Sequence, residues 1–451
     1  MNRLFKTAGI LLVTAGAAVI AYAQVGVPGL PPLPQPQLPD LPRTIDPVTG
    51  TLRTASTRAL TEVRKLRVRE LLRTEGETVE LDPDGQPIVR RQIGALSPSE
   101  AALEKARAAG FTVLRRETLD GLDLGLVILE APRGTSTRRA LKKMRELDPE
   151  GEYDFNHLYL GAGDNAEGAA RVAAETPPAS AEPSPQAAGP TTSGQGLRIG
   201  LIDSGIELAH PVLAGAKIVR HGCDGAGMPA EHGTAVASLL VGTGDGFRGL
   251  EPGATLYAAD IFCGHGGGSM ALLAIALDWM AREKVPVVNI SLVGAKSVLL
   301  TALVRAMAAR GHLLVAAVGN DGPSAPPLYP AAYPDVVGVT GVDAKRKVLP
   351  EACRGEQVDF AAAGAGLEAA AVGQGYLEVR GTSFATPIVA ALLAESLAAP
   401  DPGRARETLA MLERAAVDLG NNGVDPTYGK GLVGVDLRPG RLLADAVGSR
   451  E

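Results

Sequence analysis

At 451 residues the chain is long enough for two or three domains of about 150 residues each. Its 44 Lys and Arg against 50 Asp and Glu leave a net charge of −6, and no basic run tracks phosphates, which excludes nucleic acid as a partner. Beyond the N-terminus no stretch of about 18 apolar residues escapes charges or turn signals, so no later membrane span is expected.

The N-terminus carries Arg3 and Lys6, then an apolar run from Thr7 to Ile20, then Ala21-Tyr22-Ala23 as a small-x-small cleavage site before Gln24. Residues 1–23 therefore read as a secretory signal peptide, with an uncleaved N-terminal membrane anchor as the alternative. The protein is expected to be secreted or periplasmic, with no stable membrane span after signal cleavage. Residues 24–53 form a Pro-rich spacer, because so many missing N–H donors between Val25 and Pro42 forbid regular structure.

Residues 54–160 read as a small α+β unit. Thr54 to Thr74 has helical composition, with Leu60, Val63, Leu66 and Leu71 or Leu72 near helical spacing. Asp82-Pro83-Asp84-Gly85 is a turn. A strand from Ile88 to Gly94 precedes a helix that starts at Ser97-Pro98-Ser99-Glu100 and stops at Gly110. Strands from Thr112 to Arg116 and from Leu122 to Leu129, a basic helix from Thr135 to Leu147, and a strand from Tyr153 to Leu160 complete a ferredoxin-like β-α-β-β-α-β order. Residues 161–196 are rich in Ala, Pro, Ser, Thr and Gly and cannot bury enough surface to order themselves, so they read as a flexible linker open to proteolysis.

Residues 197–445 alternate strands and helices. Leu197 to Asp203, Thr255 to Phe262, Val285 to Leu292, Leu313 to Asn320 and Val336 to Val342 are nearly continuous apolar runs, the signature of parallel strands buried on both faces. Helices from Ser269 to Lys284 and from Ser297 to Arg310 lie between them. The expected fold is α/β, a doubly wound, mostly parallel sheet preceded by the small α+β domain.

Chemistry concentrates in three phrases, Asp203-Ser204-Gly205, His232-Gly233-Thr234 and Gly381-Thr382-Ser383, with Asn320-Asp321-Gly322 between the second and third. A serine hydroxyl is a poor nucleophile at neutral pH and needs a base within hydrogen-bond reach, here His232, oriented in turn by Asp203. Ser383 opens an apolar helix from Phe384 to Leu397, whose N-terminal dipole favours developing negative charge, and Pro387 fits a first turn that lacks donor requirements. Asn320 would donate its amide to the oxyanion. Each phrase alone could be a turn or a helix cap. His157, His210, His221, His265 and His312 lack partners at metal-ligand spacing, so no metal and no cofactor is implied for catalysis.

On these phrases, with Val287-Val288-Asn289-Ile290-Ser291-Leu292, Ala316 to Gly322 and Gly381 to Pro387, the chain resembles the subtilisin-like serine proteases, the subtilases (peptidase family S8). The resemblance implies protein or peptide substrates lying extended along Ser291, Leu292, Val293 and Gly294. It also implies a pocket for the residue before the scissile bond, walled by that segment, by Ala317 and Gly319, and by Leu328. Val293 and Leu328 stand where the family commonly has smaller residues, so a narrower pocket is expected. Ala235 stands where histidine is usual, and Val212 and the loop from Gly242 to Gly249 depart from the family's calcium ligands, leaving no positive sign of calcium.

By position and element order, residues 54–160 resemble the family's inhibitory propeptide, a partner supplied by the chain itself. Self-processing is then expected between Leu160 and Gly196, and the Tyr329-Pro330 bond is expected cis. The strands before Cys223 and Cys263 correspond to neighbouring parallel strands of the subtilase sheet, so the two cysteines could bridge; two free buried thiols remain the alternative, and Cys353 is left as a free thiol. The implied function is a secreted serine endopeptidase made as an inhibited precursor. An inactive subtilase-like binding module and a triad esterase are the alternatives; fluorophosphonate labelling separates out the first, a peptide-versus-ester panel the second.

Overall fold

The computed structural model describes residues 64–162, 171–172, 194–225, 227–244, 246–373 and 375–441. The signal-like segment 1–23, the spacer 24–53, the first part of the expected helix over 54–74 and most of the linker lie outside the described residues. Helix α1 spans residues 64–75. Its buried face is Val68 and Leu71, packed with Val79, Leu158 and Leu160, while Leu66 is 56% exposed, against the expected spacing. The segment a short helix packs against, rather than its apolar periodicity alone, selects its buried side.

The α+β unit follows in the expected order. Strands β1 (Val79–Leu81), β2 (Pro87–Leu96), β3 (Thr112–Leu119), β4 (Leu124–Glu130) and β5 (Glu152–Gly161) alternate with helices α2 (Glu100–Ala108) and α3 (Thr137–Leu147). Ser99 caps α2 by accepting from the Ala102 N–H at 3.1 Å. The antiparallel order is β3-β4-β2-β5, with β1 on β2. One face packs Ile93, Leu129 and Tyr153 against Leu103 of α2 and Leu141 and Met144 of α3.

The larger sheet is parallel throughout. Its strands are β6 (Arg198–Asp203), β7 (Lys217–His221), β8 (Thr255–Asp260), β9 (Val287–Ile290), β10 (Leu313–Ala317), β11 (Val336–Val342) and β12 (Phe360–Ala363), ordered β12-β11-β10-β9-β6-β8-β7. Both faces are covered, which explains the unbroken apolar runs. Ile202, Val288, Ile290 and Leu314 share a cluster with residues of α5 (Met270–Arg282) and α6 (Val298–Ala309). Ile199, Leu201, Val287 and Val315 share another with residues of α4 (Glu231–Val241) and α7 (Thr382–Ser396). A hairpin of β13 (Ala365–Ala370) and β14 (Tyr376–Arg380) and helix α8 (Pro402–Ala415) complete the unit. The linker is not wholly without regular structure, since Arg171–Val172 pairs antiparallel with β14. Among the described residues no helix is long and apolar enough to cross a membrane.

The small sheet docks on α5 and α6. The Val298 N–H, first in α6, donates to Asp154 Oδ2 at 2.9 Å, and the Ala271 N–H in the first turn of α5 donates to Asn156 Oδ1 at 3.1 Å. Two side chains of β5 thus satisfy helix N-termini that would otherwise be orphaned, and the carboxylate also meets the positive end of the dipole.

Cys223 and Cys263 form a disulfide with Cα atoms 5.2 Å apart, joining the loops after β7 and β8. Cys353 is free and buried, and burial pushes its thiol up to about 12. Non-reduced peptide mapping should recover Cys223 and Cys263 linked, with Cys353 alkylated only after unfolding. Closing a loop with a sequence separation of 40 should stabilise the fold by about 4 kcal/mol. Fully alkylated Cys223 in the native protein would refute the bridge.

Candidate active site

Asp203 ends β6, an interior strand paired on both sides by β9 and β8, and is buried. Its oxygens lie 2.8 and 3.0 Å from His232 Nδ1. The Ser204 N–H donates to Asp203 Oδ1 at 2.7 Å, holding the carboxylate on its strand end. His232 is the second residue of α4, and that helix start must sit hard against the loop after β6. A Cβ on Gly233 would lie 2.2 Å from the Ser204 carbonyl oxygen, so only glycine allows the approach. Phe384 packs on the imidazole with ring centroids 5.4 Å apart.

Ser383 is fully buried in the first turn of α7, and its Oγ has no hydrogen-bond partner among the described residues. Gly381 precedes it at φ 142°, and a Cβ there would lie 2.8 Å from Asn320 Nδ2. Pro387 is the sixth residue of α7, beyond the first turn where the sequence suggested it belonged. A proline there leaves the Ser383 carbonyl without its helical donor. The Ser291 hydroxyl replaces it, donating to that carbonyl at 3.3 Å and accepting from Asn289 Nδ2 at 2.8 Å.

Asn320 follows β10 and is held by its own amide oxygen, which accepts from the Thr382 N–H at 3.1 Å. That bond turns Nδ2 outward, where it donates to the carbonyl oxygen of Ala162. The Ala162 N–H donates to the Ser291 carbonyl at 3.1 Å. Leu160 and Gly161 pair antiparallel with Val293 and Leu292, and Tyr159 and Leu158 pair with Gly268 and Ser269 on the other side. The end of β5 is therefore a strand inserted between two edges of the large domain, with backbone hydrogen bonds on both sides.

The residues expected to line a pocket cluster at the end of this strand. Gly294 exchanges backbone hydrogen bonds with Tyr329 at 2.8 and 3.1 Å and lies under the Tyr159 ring. The Tyr329-Pro330 bond is cis. Where a Cβ on Gly319 would sit, Leu328 Cδ1 is 2.6 Å away, Cys353 Sγ 3.3 Å and Val293 Cγ1 3.4 Å. Ala162 is buried in the same apolar cluster as Val293, Ala317, Leu328 and Cys353. Tyr159 is fully buried, its hydroxyl donating to the Ala295 carbonyl at 3.2 Å.

Sequence reading missed Cys353 as part of this wall, the edge at Gly268 and the role of Ala162. A small residue just past a predicted strand was the one available signal for Ala162.

A family model described as the subtilase family matches residues 194–431. The chain is 33% identical over 246 residues to the minor extracellular protease Epr of Bacillus subtilis (strain 168), covering 53% of this chain and 38% of that protein. It is 31% identical over 252 residues to subtilisin amylosacchariticus of Bacillus subtilis subsp. amylosacchariticus, covering 54% of this chain and 65% of that protein. Fervidolysin from Fervidobacterium pennivorans, described as a keratinolytic enzyme related to subtilisin, has the same fold, with a TM-score of 0.63 at 19% identity over 79% of this chain and 62% of that one. The chain thus spans less than two thirds of each of these relatives.

Proposed function

The chain belongs to the subtilase family, and from that footing we propose that it is an exported serine endopeptidase made as a precursor inhibited by its own residues 64–162. One observation carries the reading: the Ala162 carbonyl accepts from Asn320 Nδ2 while residues 158–162 lie as an added strand in the groove. An extended strand with its carbonyl on the Asn320 donor meets two requirements for attack on that carbonyl, a fixed register and a stabilised oxyanion.

His232 takes the Ser383 proton as Oγ bonds to the Ala162 carbonyl carbon, and Asp203 stabilises the resulting imidazolium through Nδ1. Charge gathers on the Ala162 oxygen, where Asn320 Nδ2 stabilises it. The imidazolium then protonates the departing Gly163 nitrogen, and water repeats the sequence in reverse to release the Ala162 carboxylate. The bond so read is Ala162–Gly163. Export rests on residues 1–23 and on the extracellular relative.

N-terminal sequencing of the matured protein should begin at Gly163, and a purified Ser383→Ala precursor should remain uncut. Cleavage of that precursor at the same bond would overturn self-processing.

The filled pocket points to small residues before the scissile bond, and the buried Tyr159 to an aromatic side chain three residues further back. Leu328→Gly should open the pocket and raise kcat/KM for peptides with Leu or Phe before the bond, relative to Ala, by about 10–200-fold. An unchanged ratio would place the size limit elsewhere.

A further inference from the structure

Helix α1 is not part of the β-α-β-β-α-β unit, yet it crosses the outer face of the strand in the groove. Strand periodicity turns Tyr159 into the large domain and leaves Leu158 and Leu160 pointing the other way. On an ordinary bound peptide such side chains would face water. Here Leu158 and Leu160 are 6% and 3% exposed, covered by Val68 and Leu71 of α1.

The same helix is tied to both walls of the groove. Toward one wall, Arg64 Nη1 meets Asp321 Oδ2 at 3.2 Å, one residue past Asn320, in a pair 14% and 7% exposed. Toward the other, Glu75 Oε1 accepts from the Gly266 N–H at 2.8 Å, and its second oxygen stands 3.7 Å from His265 Nδ1. Between these ends, Arg67 Nη2 donates to the Gly161 carbonyl at 2.5 Å, the peptide unit next to the Ala162 carbonyl.

We propose that α1 is a strap over the groove, with Arg67 a positioning residue that holds the Gly161–Ala162 peptide so that the next carbonyl, that of Ala162, meets Asn320. This rests on reading Ala162–Gly163 as the bond cut in the precursor. The strap has two consequences. Before cleavage it limits the segment to one register. After cleavage, the bonds to Asp321 and Gly266 hold the fragment at both walls, independently of the docking of β5 on α5 and α6.

The test uses the full precursor, with Arg64→Ala/Arg67→Ala as the variant and Arg67→Lys as the conservative one. In the uncut Ser383→Ala background, amide exchange over residues 158–162 and 264–268 should rise at least tenfold in the double variant, with unchanged exchange in β2 and β4. Unchanged protection in the groove overturns the strap. In the catalytically intact precursor the double variant should be cut about tenfold more slowly, and its fragment should leave the protease sooner on size exclusion. Arg67→Lys should recover part of the cleavage rate. Wild-type cleavage rate in the double variant overturns the positioning role of Arg67. If the wild-type precursor is not cut after Ala162, the cleavage reading fails instead, and exchange in the Ser383→Ala protein still decides the strap.

Discussion

Ser383→Ala should abolish peptide hydrolysis and fluorophosphonate labelling while leaving the fold intact. The expected loss in kcat is on the order of 10⁶, the scale seen when the nucleophile of a triad that acts as a unit is removed. The fold should survive because Ser383 Oγ has no hydrogen-bond partner among the described residues, so deletion orphans no group that they supply. The carbonyl of the same residue, which does hold a bond to Ser291, is unaffected by the substitution. Burst titration with a fluorophosphonate and a melting curve on the same sample check both halves. Retained labelling would refute the assignment of Ser383, and a lost melting transition would show a structural role that the hydrogen bonds do not reveal.

Asn320→Ala should lower kcat by roughly 10²–10³, about 2.7–4 kcal/mol in the barrier, with KM little changed. A neutral carbonyl accepts one hydrogen bond from Nδ2 in the ground state, but the contact strengthens as the oxygen becomes charged, so the loss falls mainly on the transition state. Asn320 also has a structural bond, since its Oδ1 accepts from the Thr382 N–H beside Ser383. Asn320→Asp separates the two. It keeps the acceptor for Thr382, so thermal stability should be closer to wild type than in Asn320→Ala, but it lacks the donor and should remain slow. A KM increase that accounts for the whole loss in kcat/KM would mean that Asn320 binds substrate and transition state equally.

Much of the candidate site is legible locally. The aspartate that ends a doubly buried strand, the histidine of a His-Gly-Thr phrase, and the serine that opens an apolar helix are each announced by a few contiguous residues. Asp203, His232, Asn320 and Ser383 therefore need no tertiary information to be nominated. Pro387 shows the limit of such reading. Its chain position suggests a harmless first turn, whereas in the fold it strips a donor that Ser291, 92 residues away, restores.

The sequence by itself determined the parallel sheet, the small α+β unit before it and the ordered candidate set Asp203, His232, Asn320 and Ser383, because these follow from side-chain periodicity and from short backbone demands. Only the tertiary structure decided that Ala162 meets Asn320, that α1 packs on Leu158 and Leu160, that Leu328, Val293 and Cys353 close around Gly319, and that Cys223 faces Cys263. The physical reason is the same in each case. A glycine or alanine in a low-complexity stretch is ordered by main-chain hydrogen bonds to a distant segment, and a helix face or a thiol finds its partner only when the chain has closed around it.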